Sequence, residues 1–129
     1  MENGNGHHEN FAFGKFILKA DSLTLLRENR EIHLAKRPFD VLLFLIENRE
    51  RVVSRDELLE KFWEGREVYD DALRKCVGAI RKALDDLEKP PHFIETRHGS
   101  GYHFIGAVLE EGEKRRKGEE EKRDGQTKV

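Results

Sequence analysis

One short segment combines a glycine-flanked turn with polar groups that bind phosphate well. Residues 96–104 read TRHGSGYHF, with a glycine on each side of the central serine. Glycine adopts positive φ readily and lets a backbone approach a ligand closely, whereas hydroxyl, guanidinium and imidazole groups donate hydrogen bonds. The segment therefore predicts the tip of an anion-binding hairpin. Its candidate contact residues are Arg97, His98, Ser100 and Tyr102.

The residues before this hairpin predict a helix with one basic face. Residues 72–84 (ALRKCVGAIRKAL) hold four basic side chains and no acidic one. Apolar residues at helical spacing predict a buried side made of Leu73, Val77, Ile80, Leu84 and Leu87. The opposite side holds Arg74, Lys75, Gly78, Arg81 and Lys82. Such a face is often only solvated surface, but a basic hairpin directly after it is typical of a winged helix. The helix of that motif fits the DNA major groove, which is about 12 Å wide.

The elements that must position these segments lie in the middle of the chain. Apolar residues make up 36% and charged residues 39% of the 129 residues. Residues 1–10 are polar and predict a disordered arm, and the alternating charge blocks of residues 109–129 predict a tail or linker. The hydrophobic core must come from residues 11–108, which we expect to form one domain.

The hydrophobic pattern changes its period along this domain. Alternation in residues 13–19 and two short runs in residues 23–34, around a turn at Asn29, predict small antiparallel strands. A helical spacing follows and predicts a first helix with a buried face of Phe39, Leu42, Leu43 and Ile46.

A capping pattern marks the second helix. Ser54 and Glu57 form S-x-x-E, in which the serine side chain accepts a hydrogen bond from a backbone N–H of the first turn. The third helix begins near residues 70–71 and ends before the prolines at 90–91, and two short strands follow. The buried stripe predicted for the second helix is Leu58, Leu59, Phe62 and Trp63.

Composition limits the functions open to the chain. The formal net charge is −2, so binding of a polyanion depends on local charge patterning. Cys76 is the single cysteine, which fits a reducing compartment and predicts a cytoplasmic location. The longest apolar run, residues 41–46, is too short to cross a membrane, and no signal peptide is recognisable. We find no metal-ligand spacing, no catalytic constellation and no cofactor motif, so the pattern does not predict an enzyme.

Four segments in this order resemble the winged-helix DNA-binding domain of OmpR/PhoB-type transcriptional regulators. They are KRPFDVLLFL, RVVSRDELLEKFW, ALRKCVGAIRKAL and FIETRHGSGYHF, within residues 13–105. The resemblance implies an α+β winged helix-turn-helix with an N-terminal four-stranded antiparallel sheet, three helices and a C-terminal β-hairpin wing. It also implies binding to double-stranded promoter DNA, commonly as dimers on direct repeats. Finally, the resemblance implies that loop 64–69 contacts RNA polymerase.

The resemblance also implies roles for individual residues. Trp63 matches a tryptophan whose indole N–H bonds phosphate, and Arg81 matches an arginine that contacts phosphate from the third helix. Thr96 and Tyr102 match wing residues near the DNA. His98 stands where many members have an arginine that enters the minor groove.

The sequence departs from the family pattern on the third helix. Gly78 and Ala79 occupy positions that often carry base-reading groups, and neither offers a polar side chain to a base edge. Either specificity is low, or base reading shifts to Arg74, Lys75 and Lys82.

A second interpretation of function stays open. The near-neutral net charge and the side chains at 78 and 79 also suit a winged helix that docks on RNA polymerase or another regulator without reading DNA. Nothing in these residues resembles a receiver domain, so the sequence locates no phosphorylation switch. The operator, the inducing signal and the oligomeric state are not specified by the pattern.

Overall fold

The computed structural model of the protein describes residues 10–64 and 70–111. Its elements are β1 (Asn10–Phe13), β2 (Phe16–Lys19), β3 (Thr24–Arg27), β4 (Arg30–Ile32), α1 (Lys36–Glu47), β5 (Val53–Ser54), α2 (Arg55–Trp63), α3 (Asp70–Ala83), β6 (Ile94–Arg97), β7 (Gly101–Phe104) and β8 (Leu109–Glu111). Three helices with antiparallel sheets confirm the predicted α+β class. No helix in the described ranges has the length and apolar character needed to span a membrane.

The chain divides into two compact units, and the first is a five-stranded sheet. Its strands follow the order β4-β3-β2-β1-β8. Side chains alternate between the two faces of a strand, which explains the burial of Phe11, Phe13, Phe16, Leu18 and Leu25. Glu28 and Asn29 both have positive φ, and these two residues form the tight turn between β3 and β4. The turn predicted at Asn29 is therefore present.

The fifth strand of this sheet comes from the far end of the domain. β8 is antiparallel to β1, with Glu110 opposite Phe11. Strand pairing thus extends into residues 109–111, whose composition predicted the start of a charged tail. Residues 1–9 and 112–129, which hold nearly all of the predicted arm and most of the predicted tail, lie outside the described residues.

The second unit, residues 32–106, contains the helices, and α1 lies at its centre. α1 contacts α2, α3 and β7. Because it is packed on several sides, its buried arc is wider than the single stripe that the sequence predicts. The fully buried residues are Phe39, Val41, Leu42, Leu45 and Ile46, whereas Leu43 is only half-buried.

The N-terminus of α2 shows the predicted cap. The Ser54 hydroxyl accepts a hydrogen bond from the backbone N–H of Glu57 at 3.0 Å. The Glu57 carboxylate accepts two hydrogen bonds from the guanidinium of Arg51. The predicted buried stripe is only partly correct, because Leu58 is buried while Leu59, Phe62 and Trp63 are half-buried. A helix of nine residues at the edge of the unit covers only its innermost side chain completely.

The end of α3 lies earlier than the apolar spacing suggests. The helix ends at Ala83, and Asp85 then has a φ of 55°, which turns the chain out of the helical path. Leu84 is still buried, but Leu87 is 66% exposed. The prediction that Leu87 belongs to the buried side is therefore wrong, because the helical period does not continue to it.

A three-stranded sheet in the order β5-β7-β6 completes the second unit. The wing is the antiparallel hairpin of β6 and β7, in which Thr96 lies opposite Tyr102. The two-residue strand β5 pairs with β7, and Ser54 lies opposite Gly101. The wing is thereby joined to the residue that caps α2.

Candidate nucleic-acid interface

The third helix separates an apolar side from a basic side, as predicted. Leu73, Cys76, Val77 and Ile80 are buried. On the other side, the side chains of Arg74 and Lys75 are 69% and 79% exposed. Gly78, Ala79 and Lys82 are exposed as well, and Arg81 is half-buried. Burial of the apolar side fixes the rotation of α3, so the basic side faces solvent.

The basic side of α3 and the wing share one cleft of about 600 Å³. From α3 it is lined by Arg74, Val77, Gly78 and Arg81, and from the wing by Thr96, Arg97, His98, Gly99, Gly101 and Tyr102. Seven of the eleven predicted site residues are in this set. The hairpin tip and the basic helix, which are separate in sequence, therefore border a single concave surface.

One guanidinium connects the two walls of the cleft. Nη2 of Arg81 donates a hydrogen bond to Oγ1 of Thr96 at 2.7 Å and another to the carbonyl oxygen of Ile94 at 2.9 Å. A guanidinium carries five N–H donors in a planar fork, so these two bonds to Nη2 leave it capable of contacting a further anion. The bonds also set the distance between α3 and the first wing strand.

The exposed cations of α3 and the wing for which ion pairs are seen, two in the cleft and Lys75 beside it, form only weak ones. Arg74 and Lys75 both lie 3.7 Å from the carboxylate of Asp71, and Arg97 lies 3.3 Å from that of Glu95. Exposed pairs of this kind typically contribute about 0–1 kcal/mol. A phosphate could replace these carboxylates at small cost.

Four predicted site residues lie outside the cleft lining. Lys75 and Lys82 project from the exposed side of α3, and Ser100 is exposed at the wing tip, where its N–H donates to the Arg97 carbonyl oxygen at 2.8 Å. Trp63 is half-buried at the end of α2, with the guanidinium of Arg37 5.0 Å from its ring centroid. The phosphate contact expected of Trp63 stays a prediction.

The sequence missed one charged residue of the cleft. Arg55, the first residue of α2, lines the same surface as Arg74 and Arg97. Its position follows from the pairing of β5 with β7, which brings the start of α2 beside the wing. The two-residue strand β5 is too short to give a strand pattern in the sequence. No signal in the sequence placed Arg55 there.

The geometry has counterparts among known proteins. Residues 29–104 match the family described as "Transcriptional regulatory protein, C terminal". The chain is 34% identical over 102 residues to transcriptional regulator HilA of Salmonella typhi, which covers 79% of this chain and 18% of that protein. It is 36% identical over 98 residues to response regulator SaeR of Staphylococcus epidermidis, and this match covers 74% of this chain and 42% of SaeR. The chain thus spans less than half the length of these relatives.

Solved structures agree with this match. The response regulator DrrB of Thermotoga maritima, an OmpR/PhoB homologue, superposes with a TM-score of 0.69 at 39% identity, covering 75% of this chain and 44% of that one. The DNA-binding domain of Escherichia coli CadC gives a TM-score of 0.67 at 26% identity, covering 81% and 98%. The DNA-binding domain of Klebsiella pneumoniae RstA, solved in complex with the RstA box, has the same fold. It superposes with a TM-score of 0.65 at 24% identity, covering 74% of this chain and 95% of the RstA domain.

Proposed function

Because the chain belongs to the OmpR/PhoB-type family of transcriptional regulatory protein C-terminal domains, we propose that it is a DNA-binding transcriptional regulator. In this proposal α3 enters the major groove of promoter DNA. The wing then lies against the neighbouring backbone or the minor groove. Double-stranded DNA is the partner, and the proposal requires no cofactor.

The shared cleft is the observation that carries the proposal. A duplex presents phosphates on both sides of its groove, so cations on two converging walls can contact both of its strands. Arg74 and Arg81 supply them from α3, and Arg97 supplies one from the wing. Arg55 adds a further cation from the start of α2.

Local charge, rather than total charge, accounts for the attraction. The formal net charge is −2, yet every basic residue of α3 lies on the side that faces solvent or the wing. Neutralising about four phosphates would make log K fall with log salt at a slope near −3.6. A measured slope therefore counts the phosphates that the cleft holds.

The direct test is binding of labelled duplex DNA, selected from a random pool, measured by fluorescence anisotropy at several salt concentrations. We expect a slope near −3.6 for the unaltered chain. Arg74→Ala and Arg97→Ala should each flatten it by about one unit. Lys15→Ala, which removes the same charge from an exposed residue of the first unit, should leave it unchanged. The proposal would be contradicted if no binding were detected, or if the binding constant did not change with salt concentration.

Two finer proposals concern partners, and both derive from the family resemblance. Two copies would bind direct repeats, and loop 64–69 would contact RNA polymerase. Of that loop only Glu64 is among the described residues. Sedimentation of the chain on duplexes with one or two half-sites tests the first proposal. For the second, replacement of Arg66 and Glu67 by alanine should reduce transcription without reducing DNA affinity.

A further inference from the structure

Gly78 stands at the centre of the basic side of α3, where no contact with the described residues requires a glycine. A Cβ atom added there would have no neighbour within 4 Å outside the helix backbone. Its φ is not in the left-handed region, and glycine lowers helix stability relative to alanine. Neither packing against the described residues nor backbone conformation therefore accounts for a glycine at this position.

The neighbours of Gly78 on the helix surface are all cationic. Residues three and four positions away are adjacent on a helix, and here they are Arg74, Lys75, Arg81 and Lys82. Gly78 is thus a depression surrounded by four long side chains. The methylene stems of such side chains cover apolar surface while their charged ends reach outward. The floor of the depression carries no polar side chain.

An apolar floor with a cationic rim would favour some of the groups that a base pair presents in the major groove over others. Guanine, adenine and cytosine present polar atoms that would lose water over Gly78 and find no side-chain partner directly beneath them. Thymine presents a C5-methyl group, which needs no hydrogen bond. Its neighbouring O4 acceptor can take a hydrogen bond from an ammonium or guanidinium group at the rim.

We propose that the depression at Gly78 binds the C5-methyl group of one thymine in each DNA site and so determines specificity at that base pair. The inference rests on the proposed function, since it requires α3 to lie in the major groove. It assigns a role to the position where the chain lacks a polar base-reading side chain.

Replacement of thymidine by deoxyuridine tests the proposal, because the two nucleosides differ only in the C5-methyl group. Duplexes are first selected from a random pool with the unaltered chain, and each thymine of the recovered site is then replaced in turn by deoxyuridine. We expect one position per site at which the replacement weakens binding about fourfold, the effect of removing one buried methyl group. In a site that carries cytosine at that position, 5-methylcytosine should recover part of the loss.

The matched variant is Gly78→Ala, which fills the depression with a methyl group of the protein itself. We expect it to raise the melting temperature, because α3 becomes a better helix. We also expect it to weaken binding to the thymine duplex, so that the thymine-to-deoxyuridine ratio falls to about one. Arg97→Ala, a change in the wing, should weaken binding to both duplexes equally and preserve the ratio.

The outcomes separate this inference from the function on which it rests. Failure of the unaltered chain to select any duplex would overturn both. Salt-dependent binding without a deoxyuridine-sensitive position would overturn the thymine site alone. An unchanged ratio in Gly78→Ala would do the same, because the methyl group would then be read elsewhere on the protein.

Discussion

Arg81 of α3 and Thr96 of β6, fifteen residues apart in the chain, are joined by a hydrogen bond of 2.7 Å. The same nitrogen of Arg81 also donates to the carbonyl oxygen of Ile94. The guanidinium of Arg81 therefore connects α3, which would contact the bases of DNA, to the wing, which would contact the DNA backbone. Changes at either residue should affect both surfaces.

The Arg81–Thr96 contact predicts non-additive effects on DNA binding. Arg81→Ala should weaken binding to every duplex and flatten the salt slope by about one unit. Thr96→Val keeps the shape and charge of the wing, so it should weaken binding while leaving the slope unchanged. Because the two residues share one contact, the double variant should bind about as well as Arg81→Ala alone. Fully additive losses in anisotropy titrations would show that the contact does not couple helix and wing.

A buried carboxylate is predicted to stabilise the connection between α3 and β6. Asp86 is 4% exposed and accepts hydrogen bonds from the backbone N–H groups of His92, Phe93 and Ile94. In an asparagine side chain, the NH₂ group would replace one of the two accepting oxygens and would face these backbone N–H groups, which are donors themselves. We expect Asp86→Asn to lower the free energy of unfolding by about 2–3 kcal/mol, measured by urea denaturation.

The adjacent residue supplies the control for this measurement. Asp85 is exposed and has positive φ, a conformation that asparagine tolerates. Asp85→Asn removes the same charge and should change stability by less than about 0.5 kcal/mol. Equal losses for the two variants would attribute the effect to net charge rather than to the three hydrogen bonds.

The two wing glycines should respond differently to substitution. A Cβ on Gly101 would overlap the carbonyl oxygen of Val53 and lie 2.8 Å from the Cα of Ser54, whereas a Cβ on Gly99 would meet nothing. Gly99→Ala should cost only about 1–2 kcal/mol, because its φ is 79°. Gly101→Ala should cost more and separate β7 from β5. Equal thermal stability of the two variants would contradict this assignment.

The thiol of Cys76 is predicted to be unreactive in the folded protein. Burial raises its pKa to about 11, and the nearby charge of Arg37 offsets only part of that effect. At pH 8 roughly one thiol in a thousand is then ionised, compared with about a quarter in an unfolded chain. Alkylation by iodoacetamide should be more than about a hundredfold slower without urea than with it. Similar rates in the two conditions would show that Cys76 is accessible.

Local patterns predicted the parts of the site that depend on local structure. The period of the apolar residues in α3 specified its exposed side, and the glycines at 99 and 101 specified the hairpin. Pairing between distant segments gave no such signal. β5 and β8 have two and three residues, and their partners in β7 and β1 lie far away in the chain. For that reason Arg55 was not expected in the cleft.

Other expectations stay predictions. The phosphate contact of Trp63, the RNA polymerase contact of loop 64–69 and the cytoplasmic location depend on interactions or surroundings beyond a single folded chain. Burial and hydrogen bonding within the domain do not determine them.

Backbone amide shifts measured by NMR during titration with a selected duplex test the central claim most directly, namely that α3 and the wing bind one DNA duplex together. We predict that shifts cluster at residues 74–82 and 97–102 and saturate at the same DNA concentration. Shifts confined to one of the two segments, or a silent cleft beside a responsive loop 64–69, would contradict the claim and favour docking on another protein.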